Sequence, residues 1–262
     1  MNSITRFIEY TQKFQNPVSA FSNRFRSPGM RCKITDRNTK IRLETRCGAV
    51  RMASEVWHDK DYDIPRFSLS PNDVVIDIGA NHGAFSLYAA TKGCQVYAFE
   101  PSDENFDLLQ SNVETNRKQP QIRLFKKAVS DSSGTLKFYE SDTMGGGKNS
   151  IIHRHAIHVQ KTSEVDSITL PDFIRSKNIQ HIRLIKMDCE GAEFGILKSL
   201  TPETLAIIDA MVIEFHWGCY DMPEFIKLLH QLEGFQIGFA EDKFCKRDIV
   251  RVVSERIQVA LN

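Results

Sequence analysis

Acidic and imidazole side chains stand at the ends of two apolar segments in the second half of the chain. Asp188 directly follows the apolar run LIKM, and Glu214 and His216 end the run MVIEFH. Side chains two residues apart in a strand share a face, so Glu214 and His216 point to the same side. Carboxylates and imidazoles accept protons and also bind divalent cations, so this pattern indicates proton transfer or metal binding.

Three interpretations of these residues remain open. In the first, His216 or Asp188 is a general base that takes a proton from a substrate hydroxyl, while the protein holds the reactants in line. In the second, Asp188, Glu214 and His216 bind a divalent metal that lowers the pKa of that hydroxyl. In the third, they are hydrogen-bonded polar residues that line a cleft. We favour the base over the metal on the sequence alone.

The neighbouring charged residues have structural interpretations as well. Glu190 and Glu193 flank the start of a predicted helix, where Glu190 could cap the helix and complement its dipole. Lys186 lies inside an apolar strand, and an unpaired ammonium is costly to bury. We therefore expect Lys186 to form an ion pair with one of these acids rather than to act as a catalytic amine.

A second group of residues with chemical potential lies in VVIDIGANHGAF, where an apolar strand leads into a glycine loop. Gly79 and Gly83 allow positive φ and close backbone approach, and the helix that follows directs free N–H groups at the loop. A dinucleotide fingerprint needs glycine where this chain has Asn81 and Ala84. The loop therefore favours a cofactor with an ammonium and a carboxylate over a pyrophosphate, and Asp77 would complement its positive end.

The next predicted strand, QVYAFE, ends in Glu100. An acid at this place in α/β folds accepts hydrogen bonds from both ribose hydroxyls of a bound nucleoside. Together with the glycine loop, Glu100 predicts a nucleoside cofactor that carries a charged amino acid. The alternative is a glycine turn that only packs a helix against a strand.

These motifs together resemble the FkbM family of S-adenosylmethionine-dependent methyltransferases. The resemblance rests on IDIGANHG, on FEPSDEN with the later Asn112, on LIKMDCEGAE and on IEFH. It runs approximately from residue 45 to residue 253, and K-x-D-x-E-G-x-E is its most specific part.

The resemblance implies a fold and a reaction. The fold is the class I methyltransferase fold, which is Rossmann-like α/β. The reaction is methyl transfer from S-adenosylmethionine to a hydroxyl or carboxyl oxygen of a small molecule, a sugar or a modified peptide, in specialised-metabolite or glycan biosynthesis. An N-methyltransferase of the same fold and a cofactor-binding module without catalysis are the alternatives.

The resemblance also implies a set of cofactor-binding residues around one pocket. Glu55 would serve the methionine ammonium, and Asp188 would lie near the transferable methyl group. The others are Asp77, Gly79, Ala80, Asn81 and Gly83 around the methionine moiety, Glu100 at the ribose with Pro101 and Asn105 beside it, and Ser130 or Asp131 at the border of the adenine.

Composition excludes several classes of partner. The chain has 262 residues and a formal net charge of +1, so it lacks the basic excess that a nucleic-acid-binding protein uses. Its six cysteines contain no C-x-x-C pair, which is typical of free thiols in a reducing compartment. Neither a membrane span nor a secretory leader is apparent. We therefore expect a cytoplasmic protein without a nucleic-acid or membrane partner.

The elements that must position these residues follow from the alternation of apolar runs with helical patterns. This alternation predicts a seven-stranded, mostly parallel sheet with helices on both faces. Residues 31–46 read as a β-hairpin, and residues 1–60 form a cap of hairpin and helix within the same domain as the methyltransferase part, 61–262. IRLFKKAV, residues 122–129, reads as one strand.

The acceptor pocket is expected where the sequence is least regular. We assign it to residues 1–60 and to the segment 141–164, which reads as irregular. His153, His155 and His158 lie in that segment. They are expected to belong to a polar loop, because nothing nearby supplies a fixed third metal ligand.

Overall fold

The structure is a computed structural model that describes most of the chain. The described residues are 3–22, 25, 30–46, 49–59, 67–117, 121–141, 149–152, 159–216, 218–239 and 249–257.

The N-terminal part consists of two helices, a hairpin and a short helical segment. The elements are α1 (Ser3–Lys13), α2 (Pro17–Ser22), β1 (Arg31–Thr35), β2 (Arg42–Arg46), α3 (Val50–Ser54) and a π-helical turn, Glu55–Asp59. The antiparallel pairing of β1 with β2 confirms the predicted hairpin.

The rest of the described chain alternates strands and helices. The strands are β3 (Val74–Ile78), β4 (Gln95–Phe99), β5 (Ile122–Phe125), β6 (Ala128–Val129), β7 (Gly134–Ser141), β8 (Val159–Ile168), β9 (Leu184–Met187), β10 (Ala210–Glu214), β11 (Phe235–Phe239) and β12 (Ile249–Ser254). The helices are α4 (Ala84–Thr91), α5 (Asp103–Thr115), α6 (Leu170–Lys177), α7 (Glu193–Ser199), α8 (Pro202–Leu205) and α9 (Met222–His230).

Within the described residues, seven strands form the central sheet in the order β11-β12-β10-β9-β3-β4-β5. The strands from β10 to β5 pair in parallel, while β12 is antiparallel to both β10 and β11. The predicted seven-stranded, mostly parallel sheet is therefore confirmed. Because β3, β9 and β10 are adjacent, their carboxyl ends bring the glycine loop, Asp188 and Glu214 to one edge.

Both faces of the sheet are covered by helices, as predicted. Ile76 and Ile185 belong to an apolar cluster shared with α6, α7 and α9. The alternate residues Val75 and Leu184 belong to another cluster, shared with α4. Burial on both faces explains why these strands are continuous apolar runs rather than alternating ones. A polar side chain inside such a strand must find its partner within the protein.

The prediction of one strand over residues 122–129 is wrong. The segment divides into β5, which pairs with β4, and β6, which leaves the central sheet and pairs with β8. Two lysines separate these strands, and each forms an ion pair, Lys126 with Asp103 and Lys127 with Asp166. The two adjacent lysines therefore mark the point where the chain leaves the central sheet.

The prediction of an irregular segment over residues 141–164 is also wrong for its second part. β8 begins at Val159 and forms a long antiparallel ribbon with β7. Its sequence, VQKTSEVDSI, is largely polar because the ribbon is mostly exposed, so it lacks the apolar signal of a core strand. His153, His155 and His158 lie outside the described residues.

In the described residues, none of the helices has the length and apolar character needed to cross a membrane.

Candidate active site

The glycine loop between β3 and α4 is shaped by contacts that exclude side chains. Gly79 has φ 77°, and a Cβ built on it would lie 1.9 Å from the carbonyl oxygen of Asp188. Gly83 has φ 91° and directly precedes α4, and its Cβ would lie 2.7 Å from Leu109 Cδ1. Packing against backbone atoms therefore requires glycine at position 79, whereas at position 83 the positive φ is the main constraint because the Leu109 side chain can move. Gly79 holds the loop against the segment that follows β9.

Two adjoining cavities open at this edge of the sheet, and they share Met52, Gly79, Asn81 and Asp188. The larger one has a volume of about 610 Å³ and runs from the glycine loop along the ends of β4 and β6. The smaller one lies under the hairpin and α3, and Ala80 and Lys186 are part of its lining. We name them the inner cavity, for the larger, and the cap cavity, for the smaller.

Glu100 is buried in the wall of the inner cavity, together with Pro101 and Asn105. Its carboxylate accepts hydrogen bonds from the backbone N–H groups of Asn81, at 2.8 Å, and Ser102, at 3.0 Å. Burial raises the pKa of Glu100 to about 7, although these two amides oppose the rise. Glu100 therefore links the glycine loop to the start of α5 and presents an acid to the cavity.

The far wall of the inner cavity is mostly apolar. Ser130 and Asp131 are not among its lining residues, and the Ser130 hydroxyl donates to Asp131 Oδ1 at 3.1 Å. Their place at the border of the adenine stays a prediction. The wall consists of apolar side chains from β6, from β7 and from the segment 149–152, in which Ser150 pairs with Tyr139 of β7. These side chains are Ala128, Val129, Phe138 and Ile151, with Lys127 and Asn149 at their side. Phe138 and Ile151 were not predicted, because they reach the cavity only through tertiary contact.

Asp77 is fully buried beneath the loop and does not line either cavity. Its carboxylate accepts a hydrogen bond from Ser86 Oγ at 2.6 Å and lies 3.4 Å from Lys186 Nζ. Asp77 therefore anchors Lys186, and its predicted contact with a cofactor ammonium stays a prediction.

Lys186 confirms the prediction of an ion pair. Its Nζ lies 3.4 Å from Asp77 and 3.6 Å from Asp188, and it donates to the Gly79 carbonyl at 2.7 Å. Burial alone would lower the pKa of Lys186, but the charges of Asp77, Asp188 and Glu214 overcome it and raise that pKa. Lys186 thus stays charged and ties the glycine loop to the carboxylates at the end of β9.

Glu55 lies at the start of the π-helical turn, beside the cap cavity. Its Oε1 is 2.5 Å from Arg51 Nε, and the residue is buried. Met52 and Val56 line the cap cavity, while Glu55 does not. Its predicted role toward a cofactor ammonium stays a prediction.

The structure brings the five residues of the acid–imidazole cluster together. We define this cluster as Asp188, Glu190, Glu193, Glu214 and His216. The imidazole is at its centre, with Nδ1 3.1 Å from Glu193 Oε1 and Nε2 3.4 Å from Glu190 Oε2 and 3.7 Å from Asp188 Oδ1. Asp188 and Glu190 line the inner cavity, so the cluster borders it.

Glu193 is the fixed part of the cluster. It is fully buried, and its carboxylate accepts hydrogen bonds from the backbone N–H groups of Cys189, at 3.0 Å, and Gly191, at 2.9 Å. The loop between β9 and α7 therefore closes on this side chain, and Glu190 takes φ 56° within it.

The charge on His216 follows from its surroundings. Burial would lower its pKa, but the hydrogen bond and charge of Glu193, with the charges of Glu190 and Asp188, raise the pKa of His216 to about 10. These carboxylates thus favour the positively charged imidazole at neutral pH.

Three members of the cluster have the geometry of metal ligands. One ligand atom each from Asp188, Glu214 and His216 lies within 4.8 Å of the other two. The predicted grouping of these residues is therefore confirmed, and it is compatible with proton transfer and with metal binding.

A connection between the hairpin and the glycine loop was not predicted. Asn112 of α5 donates from Nδ2 to the carbonyls of Glu44 and His82, both at 2.8 Å, and its Oδ1 accepts from the Glu44 N–H at 2.7 Å. Thr45 Oγ1 lies 2.8 Å from His82 Nδ1. The sequence signalled Asn112 and His82 only as parts of the family motifs.

Comparison with known proteins agrees with this architecture. Residues 77–237 match the family described as the Methyltransferase FkbM domain. The chain is 28% identical over 231 residues to the 31-O-demethyl-FK506 methyltransferase FkbM of Streptomyces tacrolimicus, covering 77% of this chain and 88% of that protein. It is 27% identical over 189 residues to the hexuronic acid methyltransferase AglP of Haloferax volcanii, covering 70% of this chain and 74% of that protein.

Among solved structures, the METTL16 MTase domain aligns with a TM-score of 0.55 and 12% sequence identity, covering 96% of this chain and 90% of that chain. At this identity the likeness concerns the fold alone. It confirms the predicted class I methyltransferase fold.

Proposed function

The chain belongs to the FkbM family of S-adenosylmethionine-dependent methyltransferases, and on this premise we propose that it methylates an oxygen atom of its acceptor. The acceptor is a small molecule, a sugar or a modified peptide with a hydroxyl or carboxyl group, and the setting is specialised-metabolite or glycan biosynthesis. The observation that carries the proposal is the inner cavity, which joins a buried acid at one end to the acid–imidazole cluster at the other.

The names of two relatives support oxygen as the acceptor atom. One relative acts on 31-O-demethyl-FK506, and the other on a hexuronic acid. The first name specifies an oxygen, and the second specifies a sugar acid that carries hydroxyl and carboxyl groups. We extend this chemistry to the present chain because the similarity covers at least 70% of it in both cases.

The lining of the inner cavity fits S-adenosylmethionine, which supplies an activated methyl group on a sulfonium when bound. Glu100 offers a carboxylate to the ribose hydroxyls. The apolar wall of Val129, Phe138 and Ile151 suits the faces of an adenine ring. Gly79 and Asn81 line both cavities, which supports a contact of these residues with the methionine portion.

The acid–imidazole cluster fits the proton transfer that methylation of a hydroxyl requires. Asp188 and Glu190 line the inner cavity, and Glu190 provides the carboxylate that accepts the proton of the acceptor. Lys186 and His216 stabilise these carboxylates in their charged form through contacts of 3.4 to 3.7 Å. Positioning of the acceptor oxygen in line with the sulfonium is the other contribution expected from the protein.

The proposal is tested with the purified full chain, S-adenosylmethionine and matched acceptors. The panel contains hydroxy acids, uronic acids, other sugars and serine-containing peptides, each with its amino analogue. We expect S-adenosylhomocysteine and a methyl ether or ester, identified by mass spectrometry. Transfer to nitrogen alone would replace the proposal by an N-methyltransferase, and cofactor binding without turnover on the panel would replace it by a binding module.

A variant pair links the activity to the cluster. Asp188→Asn removes a carboxylate of the cluster from the cavity and should lower kcat by about 100- to 10,000-fold. Glu233→Gln changes an exposed carboxyl in the turn after α9 and should leave kcat unchanged. Equal activities of the two variants would contradict the role given to Asp188.

A further inference from the structure

We propose that Asp188, Glu214 and His216 form a binding site for a divalent first-row metal ion, which coordinates the acceptor oxygen during methyl transfer. Binding of the metal depends only on the residues of the cluster, whereas its part in catalysis rests on the proposed function.

The three proposed ligands lie on a rigid framework, the ends of two paired strands. β9 and β10 are adjacent parallel strands, with Met187 opposite Ile213, so Asp188 and Glu214 extend from neighbouring strand ends. His216 follows two residues after Glu214, and the three ligand atoms lie within 4.8 Å of one another. Ligands on neighbouring ends of a packed sheet keep this spacing, which suits chelation of a single ion.

The orientation of the His216 imidazole supports the site independently of the distances between the ligand atoms. Metal-ligating histidines commonly bind a carboxylate through the other ring nitrogen, and this contact fixes the direction of the ligand nitrogen. Here Nδ1 of His216 faces Glu193 Oε1 at 3.1 Å, and two backbone N–H groups hold Glu193. Nε2 is thereby turned toward Asp188 and Glu190. A histidine that served only as a surface charge would not need this buried support.

The charges around the cluster also favour a cation. Asp77 and Asp188 lie 3.4 and 3.6 Å from Lys186 Nζ, and Glu190 and Glu193 lie 3.4 and 3.1 Å from the ring nitrogens of His216. With Glu214, five carboxylates thus lie around two basic side chains, and a divalent cation that replaces the Nε2 proton of His216 would offset the excess negative charge. Two carboxylates and one imidazole are a mixed oxygen and nitrogen set, which suits Mn²⁺ better than Mg²⁺ because Mg²⁺ prefers oxygen alone.

The site also completes the chemistry of the acceptor. A carboxylate is a weak base for an aliphatic hydroxyl, and a metal that polarises the hydroxyl makes its proton easier to remove. The O–H bond breaks and the proton passes to Glu190, which is not among the three ligands and lines the inner cavity. The oxygen electron pair forms the new O–CH₃ bond, while the C–S electron pair stays on sulfur and leaves a neutral thioether.

The test measures Mn²⁺ binding by electron paramagnetic resonance on the full chain after removal of metals, without cofactor or acceptor. We expect one tightly bound Mn²⁺ in the wild type. Glu214→Gln and His216→Gln should abolish this binding, and the control Glu233→Gln should retain it. Glu193→Gln leaves the three ligands in place but loosens the imidazole, so it should weaken Mn²⁺ binding by about 10- to 100-fold. Circular dichroism shows whether each variant is folded, and Glu214→Ala replaces Glu214→Gln if the latter unfolds.

Absence of Mn²⁺ binding to the wild type, or equal binding by wild type and both ligand variants, would overturn the proposal. Failure of this inference is distinguishable from failure of the proposed function. Methyl transfer to oxygen that is unaffected by a chelator would leave the function and remove the metal. Bound Mn²⁺ without any oxygen methylation would leave the site and remove its catalytic part.

Discussion

At the scale of single residues, Glu100 shows how burial can give an ordinary acid a functional pH range. The carboxyl group lies in the wall of the inner cavity, and burial raises its pKa to about 7 against the opposing amides of Ser102 and Asn81. Only the charged form accepts hydrogen bonds from two hydroxyl donors at both oxygens. The charge of Glu100 therefore changes near neutrality, where the protein is expected to bind its cofactor.

We predict that the affinity for S-adenosylmethionine rises with pH from 6 to 8 and levels off above that range. The raised pKa means that Glu100 is protonated below about pH 7 and loses acceptor capacity there. Calorimetric titrations across this range provide the measurement, with Glu100→Gln as the comparison. The variant should bind more weakly and with a flatter pH profile, and an unchanged slope in the variant would assign the pH effect to another group.

Gly79 is the second residue whose environment decides its identity. Gly79→Ala would place a methyl group 1.9 Å from the Asp188 carbonyl at φ 77°, so we predict a loss of stability of about 2 to 5 kcal/mol. Gly234→Ala is the matched control, because Gly234 has φ 76° and nothing lies within 4 Å of its Cβ position. The control should lose only about 1 to 2 kcal/mol. Urea denaturation measures both, and equal losses would show that backbone conformation alone requires glycine at position 79.

At the scale of elements, α5 joins the hairpin to the glycine loop. Asn112 bonds Glu44 on one side and His82 on the other, whereas Asn116 bonds the hairpin at Arg42 only. The position of the loop therefore depends on an asparagine that touches neither cavity. Asn112 thus contacts both the hairpin and the loop, while Asn116, one turn later, contacts the hairpin but not the loop. Substitution of each asparagine can therefore test the two attachments separately.

We predict that Asn112→Ala weakens cofactor binding and increases hydrogen exchange in both β2 and the glycine loop. The substitution leaves buried carbonyl groups without their donor, which costs about 1 to 3 kcal/mol. Asn116→Ala should increase exchange in β2 only and leave cofactor affinity close to that of the wild type. Mass-spectrometric hydrogen exchange with calorimetry distinguishes the two variants. Equal loss of affinity in both would mean that the hairpin alone positions the loop.

Comparison of elements also shows what the sequence can predict. β3 and β9 were predicted because burial on both faces makes them continuous apolar runs, and the residues that follow them could be placed at one edge by topology alone. β8 was missed because its exposed ribbon is polar. The apolar wall of the inner cavity was not predicted, because Phe138 and Ile151 reach the cavity through tertiary contact. Local sequence patterns carry no information about which side chains meet in the folded protein.

At the scale of the whole molecule, the free energy of unfolding depends on pH because buried groups such as His82 have a different pKa in the folded and the unfolded chain. His82 is buried between the hairpin and α5, and burial lowers its pKa to about 3. The unfolded chain binds a proton at this residue below about pH 6.5, while the folded chain stays neutral. At His82 the unfolded chain therefore binds a proton at a higher pH than the folded chain does.

We predict that His82 lowers the free energy of unfolding between pH 6.5 and pH 4 by at most about 1.4 kcal/mol per pH unit, measured as the difference between the wild type and His82→Gln. The difference is used because the raised pKa of Glu100 acts in the opposite direction over the same range. His82→Gln should be less stable at neutral pH but should lose less stability on acidification. His230→Gln, at an exposed position on α9, should retain the wild-type slope. Denaturation midpoints at several pH values provide the measurement, and the same slope in His82→Gln and the wild type would rule out this role of His82.

The antiparallel strand β12 has a consequence for synthesis of the chain. It lies between β10 and β11 although it follows both in sequence, so the neighbours stay unpaired on that side until residues 249–254 have left the ribosome. At 5 to 20 residues per second, the interval between β10 and β12 lasts about 2 to 7 seconds. During that interval the nascent protein exposes an apolar strand edge, which is a template for association with other chains. In a chain truncated before β12, this strand edge would stay exposed. The exposed strand would be β10, which ends in Glu214 of the acid–imidazole cluster.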